Sequence, residues 1–261
     1  MNNVSVCVVG VGYWGTNHIK NLLKLNIEVG CVDVNLERLQ KTKSIYRTLN
    51  CFNSIQQSLK QNYDGYIIAT PASTHTELAK FLIKNNKPVL VEKPLSLSTE
   101  ESKDIESYIK RFHGKLIVGH LLLFHPAIKK MKSVIDQGQL GNIKYIYSNR
   151  LNQGKVRKEE NVFWSFAPHD ISLFQFFSGS FPSEVYSKGA DFLQKNIHDT
   201  TITYFKYPNG IEGHIFVSWL HPFKEHRLVI IGSKGSLHFE DSSKNKKLLF
   251  YENLKSNESK R

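Results

Sequence analysis

From Val4 the chain runs apolar to Val9, interrupted only by Ser5 and Cys7, and empties into Gly10-Val11-Gly12-Tyr13-Trp14-Gly15. A helical stretch, Thr16 to Leu25, follows, and then a second apolar strand, Glu28 to Val34, with Asp33 near its end. The same alternation continues through helix Leu36 to Ser44, strand Asn50 to Phe52, helix Ile55 to Gln61 and a strand from Tyr66 that Pro71 stops. Helix Thr76 to Lys84, strand Pro88 to Val91, helix Ser98 to Phe112 and strand Lys115 to Gly119 complete it, with Ser98 and Glu101 spaced as a capping box. Apolar strands without internal alternation suit a parallel sheet covered on both faces. Strands separated by helices at this rhythm predict a doubly wound α/β domain over residues 1–120.

After His120 the pattern changes. Helix Pro126 to Gln137 ends at Gly138, Gly141 makes a turn, and Ile143 to Leu151 alternates like a strand with one buried face. A polar stretch, Asn152 to Asn161, leads through Trp164-Ser165-Phe166-Ala167-Pro168-His169-Asp170 into an amphipathic helix, Ile171 to Phe177. Strands then dominate: Ser183 to Ala190, Thr200 to Tyr207, Ile211 to Trp219, His226 to Ile231 and Ser236 to Glu240, with hairpin turns at Tyr207 to Gly210 and Ser233 to Gly235. Residues 121–261 are thus expected to form an α+β domain, a mostly antiparallel open sheet with one helix on its face. Asp241 to Arg261 is polar and reads as a loose tail.

A length of 261 residues allows two domains, and 40% hydrophobic with 22% charged residues is the balance of a soluble globular protein. Met1-Asn2-Asn3 runs straight into a strand without the basic and apolar regions of a secretory signal. No apolar run reaches membrane-spanning length, since His120 cuts Leu116 to Phe124. A cytoplasmic location is the expectation. Cys7, Cys31 and Cys51 form no metal or redox spacing and read as small core residues of a reduced compartment. The net charge of +12 admits nucleic acid, an anionic membrane surface or an acidic small substrate. Its lysines are dispersed along helix faces apart from Lys244, Lys246 and Lys247, and no nucleic-acid recognition motif accompanies them. Most are taken as solvated surface, so nucleic acid and membrane are not expected partners. His113, His125, His198, His214, His221, His226 and His238 lack ligand spacing, so no metal is assigned.

The candidate chemistry sits at strand ends. Strand, GxGxxG, helix, strand and acid fall within one βαβ unit, the full context of a dinucleotide-binding Rossmann turn. Gly10 makes the turn, Gly12 lets backbone approach a pyrophosphate, Gly15 lets helix pack on strand, and the helix N-terminus meets the phosphate charge. Asp33 is placed to accept hydrogen bonds from an adenosine ribose and would repel a 2′-phosphate, which favours NAD over NADP. A second strand ends in Glu92-Lys93-Pro94. A lysine at the carboxyl end of a parallel strand stands where open α/β sheets bind ligands, and the proline keeps residue 93 out of helical geometry.

Taken together, Gly10-x-Gly12-x-x-Gly15, Ala69-Thr70-Pro71 with His75, Glu92-Lys93-Pro94, Gly138-x-x-Gly141-x-Ile143 and His169-Asp170-Ile171 resemble, in order and spacing, the glucose-fructose oxidoreductase / inositol dehydrogenase (Gfo/Idh/MocA) family. Within it, Ser148 to Asn152, Glu159-Glu160-Asn161 and Trp164 to Ile171 are similar to the branch that oxidises the 3-hydroxyl of UDP-N-acetylglucosamine or its uronic acid, for diamino sugars of surface polysaccharide or lipid A. The resemblance implies NAD, a UDP-sugar, and a homo-oligomer, dimer or tetramer, formed through the open face of the second sheet. It gathers Tyr13, Trp14, Thr70, Pro71, His75 and Glu92 around the cofactor with the glycines and Asp33. Trp164 is assigned to the nicotinamide or, equally, to the core.

In the chemistry so implied, His169 removes the hydroxyl proton and Lys93 stabilises the oxygen as the proton leaves. Arg150, Asn152, Lys155 and Arg157 are candidates for gripping a diphosphate or substrate carboxylate, against the alternative of a solvated loop. Reduced cofactor either leaves each cycle or is recycled in place by a 2-oxo acid such as 2-oxoglutarate. Two departures stand out. Ser165 occupies the position, four before the catalytic histidine, where most of the family has aspartate. Relatives also continue with more sheet and a C-terminal helix, so a shortened second domain is expected. Two other readings stay open: dehydrogenation of an inositol-like polyol or keto-deoxysugar nucleotide, and a non-catalytic NAD-binding remnant or sensor.

Overall fold

The computed structural model describes residues 4–153, 160–245 and 247–253. The chain divides into two compact units, with the boundary between Gly119 and His120.

In the first unit the strands are β1 (Ser5–Val9), β2 (Glu28–Val32), β3 (Asn50–Phe52), β4 (Gly65–Ile68), β5 (Val89–Val91) and β6 (Leu116–Val118). Helices α1 (Tyr13–Lys24), α2 (Leu36–Ile45), α3 (Ile55–Leu59), α4 (His75–Lys84) and α5 (Thr99–Phe112) connect them. All six strands are parallel, in the order β3-β2-β1-β4-β5-β6. The order reverses between β1 and β4, the switch point where such sheets bind ligands. Two apolar clusters fill the unit, one around Cys7, Ile68, Leu82 and Val91 and one around Val8, Ile19, Cys31 and Leu49. Cys7 and Cys31 are fully buried and Cys51 partly so; burial pushes the Cys7 thiol up to about 12, which keeps it a neutral core residue.

The local signals act as their chemistry requires. The Ser98 hydroxyl accepts the Glu101 N–H at 3.1 Å and starts α5, while the Glu101 carboxylate reaches back to the Leu97 N–H. Two boundaries differ from expectation. Helix α1 begins at Tyr13, inside the glycine turn, because Gly12 serves as its N-cap and its carbonyl accepts the Thr16 N–H at 3.0 Å. A 3₁₀ turn, Ala72–Thr74, precedes α4, so His75 is its first residue.

The second unit begins with a 3₁₀ turn, Leu121–Phe124, and helix α6 (Pro126–Asp136). Strand β7 (Ile143–Leu151), helix α7 (Val162–Ser178) and strands β8 (Glu184–Ala190), β9 (Thr200–Lys206), β10 (Glu212–Ser218), β11 (Glu225–Gly232), β12 (Gly235–Glu240) and β13 (Leu248–Glu252) follow. The seven strands order as β13-β12-β11-β7-β10-β9-β8, antiparallel except for β7 with β10. Alternation divides the sheet's faces. Ile146, Ile215, Val217, Leu228, Ile230 and Leu237 point to a core shared with Met131 of α6 and Phe174 of α7. The other face carries a row through every strand, Tyr186, Tyr204, His214, Tyr147, Val229, His238 and Leu249, cross-strand partners in sequence.

Three expectations need correction. Two helices, not one, contribute to this core. Residues 164–170 belong to α7 rather than leading into it: the Asn161 side chain caps the helix by accepting the Trp164 N–H at 3.1 Å, and Pro168 is carried inside. Proline removes one backbone donor, but the buried stripe of Val162, Ala167, Leu173, Phe174 and Phe177 holds the helix on the sheet. Residues 248–252, expected in a polar tail, form β13, because the exposed edge of β12 offers a backbone ladder from Gly235 to Phe239. No helix among the described residues is long and apolar enough to cross a membrane.

Phe174 is fully buried and meets Phe205 edge-on at 5.8 Å between centroids. Phe174→Ala should cost about 3–5 kcal/mol in chemical denaturation. A loss well under 1 kcal/mol would show that α7 is not held by this stripe.

Candidate active site

The carboxyl ends of β1, β2, β4 and β5 gather the predicted residues of the first unit. Gly10 has φ +92° and donates its N–H to the Val32 carbonyl at 2.7 Å, which turns the chain out of β1. A β-carbon on Gly15 would lie 1.7 Å from the Gly10 carbonyl oxygen, so only glycine lets α1 sit this low on the strand. At Gly12 an added β-carbon meets no protein atom within 4 Å, leaving the backbone approachable beside the N-terminus of α1. Tyr13 and Trp14 stand exposed in the first turn as an edge-on pair.

Asp33 is buried, its Oδ2 accepting the Val11 N–H at 2.9 Å and its Oδ1 the Asn35 N–H at 2.9 Å. Each carboxylate oxygen keeps a second lone pair for a ribose hydroxyl. The open backbone at Gly12, a helix N-terminus with no side-chain cap and an acid locked to the glycine turn together fit a dinucleotide.

Thr70 and Pro71 form the turn after β4, with the Thr70 hydroxyl 2.7 Å from that of Thr74. Beside it, Glu92 leaves β5 buried, its Oε1 2.7 Å from Nε2 of His18 on α1. Lys93 follows, partly exposed, and its peptide to Pro94 is cis. His75 differs from expectation. It is 1% exposed, with Nδ1 2.8 Å from the Pro94 carbonyl and Nε2 2.9 Å from the Thr70 carbonyl, so both nitrogens face the protein rather than a ligand. His18 was not legible as functional; its signal was its place three residues after Gly15, on the same helix face.

In the second unit, His169 lies mid-helix in α7, partly buried, and Trp164 lies in the first turn of that helix, also partly buried. Arg150, expected to grip substrate, points inward. Its Nε and Nη2 meet the two oxygens of Asp170 at 2.7 and 3.1 Å, a buried bidentate pair joining β7 to α7 next to His169. Breaking such a pair from one side costs about 3–5 kcal/mol. Asn152 stands just past β7, its N–H on the Ser218 carbonyl. Lys155 and Arg157 lie outside the described residues. His226 pairs with Arg150 in register on the neighbouring strand. Burial first, then the charges of Arg150 and Lys224, lower its pKa from 6.5 to about 4, against an opposing pull from Asp241 and Glu240. Among the described residues no cluster of His, Cys, Asp and Glu is placed to hold a metal.

These features define an NAD-dependent oxidoreductase. Residues 4–120 match the oxidoreductase family with an NAD-binding Rossmann fold, and residues 128–238 match the GFO/IDH/MocA C-terminal domain. The chain belongs to the Gfo/Idh/MocA family, whose relatives here include sugar and polyol dehydrogenases. It is similar to scyllo-inositol 2-dehydrogenase (NAD(+)) of Bacillus subtilis, 27% identical with 90% of this chain and 73% of that one covered. It is also similar to UDP-N-acetylglucosamine 3-dehydrogenase of Acidithiobacillus ferrooxidans, 30% identical over 70% of this chain and 56% of that one. The fold matches the WlbA dehydrogenase of Bordetella pertussis, solved with NADH and UDP-GlcNAcA, at a TM-score of 0.86 and 22% identity, covering 98% of this chain and 79% of that one.

Gly12→Ala should fold with unchanged Tm yet lose NAD affinity, whereas Gly15→Ala should lose both; calorimetry with and without NAD checks this, and wild-type affinity in both variants would move the cofactor elsewhere. For His226 the folded pKa is depressed, so its contribution to stability is intact above pH 6.5 and is lost as pH falls toward about 4. His226→Leu should therefore flatten the decline of Tm across that window, and an unchanged decline would refute it.

Proposed function

We propose that this protein oxidises the 3-hydroxyl of a UDP-N-acetyl-hexosamine or its uronic acid to the 3-keto sugar, supplying diamino-sugar synthesis. The observation that carries this reading is the 30% identity to a UDP-N-acetylglucosamine 3-dehydrogenase. Ser165 in place of the family's usual aspartate, buried in α7 four residues before His169, accords with it. Dehydrogenation of an inositol-like polyol is the second reading, favoured by the wider coverage of the scyllo-inositol 2-dehydrogenase.

Gly10, Gly12, Tyr13, Trp14 and Gly15 would hold the cofactor's pyrophosphate, and Asp33 its adenosine ribose, with Thr70 and Pro71 toward the nicotinamide end. NAD, when bound, supplies the hydride acceptor. His169 is the candidate that takes the hydroxyl proton at an imidazole nitrogen, and the Lys93 ammonium is the candidate that offsets the negative charge developing on the substrate oxygen. Arg150 acts from behind, through Asp170, leaving Asn152, Lys155 and Arg157 as the groups for substrate phosphate or carboxylate. A second copy of the chain would cover the tyrosine and histidine row of the open sheet, where Tyr147 stacks on His214 at 5.4 Å and Tyr186 and Ile202 are exposed.

Reduced-nicotinamide absorbance, with NAD and separately UDP-N-acetylglucosamine, its uronic acid and myo-inositol, tests the substrate; later addition of 2-oxoglutarate tests recycling. A rise with a UDP-sugar is expected, and a rise with inositol alone would transfer the assignment. His169→Ala should lower turnover about 10²- to 10⁴-fold at unchanged NAD affinity. Unchanged turnover would remove His169 from the mechanism. NAD binding with no substrate-dependent reduction would favour a sensor or remnant.

A further inference from the structure

Glu92, Lys93 and Pro94 leave β5 as one turn that two histidines grip on either side of the lysine. Before it, the buried Glu92 carboxylate is tied to His18 of α1 at 2.7 Å. After it, the Pro94 carbonyl lies 2.8 Å from Nδ1 of His75 and the Thr70 carbonyl 2.9 Å from Nε2 of the same ring, so the ring sits between the two turns and donates to at least one of them. The backbone adds two bonds, Glu92 N–H to the Ile68 carbonyl and Gly119 N–H to the Val91 carbonyl, at 2.9 and 2.8 Å. Each histidine belongs to a helix that begins in another turn at this end of the sheet: α1 in the glycine turn, α4 in the Thr70 turn.

His75 is not placed for acid–base work on a ligand, and His18 commits one nitrogen to Glu92. His75 is 1% exposed with both nitrogens engaged on protein carbonyls, and His18 has its Nε2 on a carboxylate that is itself 6% exposed. A buried carboxylate without a partner carries the full desolvation cost, and His18 supplies Glu92 with one. We propose that His18 and His75 are positioning residues for Lys93. They fix the residues before and after it, and so the direction of its Cα–Cβ bond, and they join the lysine turn to the two turns that would meet the cofactor. An ångström of misplacement of a reacting group can cost about 10²-fold in rate, which is the scale on which this hold acts.

The inference rests on reading Lys93 as the group that meets the reacting oxygen, but its first test needs no substrate. In cofactor-free protein, the rate of reductive methylation of each lysine is followed by peptide mass spectrometry, alongside hydrogen exchange of the amides of 92–98. His18→Leu should change the labelling rate of Lys93 and raise exchange in 92–98, with Lys80 and Lys87 unchanged as internal references. His18→Gln, which keeps an N–H donor for Glu92, should restore both. With a substrate that turns over, His18→Leu and His75→Leu should lower kcat at least 10-fold with little change in KM or NAD affinity. A wild-type labelling pattern at Lys93, a uniform change across all lysines, or a lower Tm with unchanged kcat would each overturn the proposal. If labelling and exchange change as expected while no UDP-sugar is oxidised, the substrate assignment fails and the positioning role stands.

Discussion

The close approach of α1 to β1 at Gly15 is the constraint on which the first unit depends. With no side chain there, the helix rests against the Gly10 carbonyl, and its N-terminus opens beside Gly12 at the switch point of the sheet. Asp33 then locks the same turn from the end of the next strand by accepting the Val11 N–H, so one carboxylate shapes the loop while its oxygens keep lone pairs in reserve. The same low seat of α1 carries His18 to Glu92. A single missing methyl group therefore sets the cofactor turn and the approach to the lysine turn together.

In each unit a buried ionic or hydrogen-bonded pair adjoins, without including, a residue proposed for chemistry. Glu92 with His18 precedes Lys93, and Asp170 with Arg150 follows His169. Buried polar groups are costly unless partnered, and a bidentate arginine satisfies a carboxylate in one geometry only. Such pairs trade stability for a defined direction of the neighbouring side chain, as rigidly supported sites require. The charge of Arg150 reaches further, to His226 on the adjacent strand, where it adds to burial in keeping that imidazole neutral.

Elements with local signals were legible from the chain. The six parallel strands, the capping box at Ser98, the βαβ unit with its glycines and acid, and strand β7 from Ile143 to Leu151 all declare themselves through apolar runs, turn residues and fixed spacings. Pro168 misled, because proline reads as a helix boundary while the apolar stripe on both sides of it carries α7 through. Strand β13 was hidden by the polar residues around it; its ladder comes from β12 and not from its own composition.

The sequence by itself determined the two-part architecture, the family and the cofactor, since these rest on backbone requirements that only particular residues meet: glycine where chains nearly touch, an acid at a strand end, alternating or continuous apolarity. Only the tertiary structure decided which polar groups face inward. Arg150 and His75 had the chemistry of ligand-binding residues and proved to be internal partners of Asp170 and of two carbonyls, while His18, unremarked in the chain, proved to hold Glu92. A side chain's type is written in the sequence, but its partner is set by which strands and helices lie side by side, and these pairs join residues from 5 to 74 positions apart.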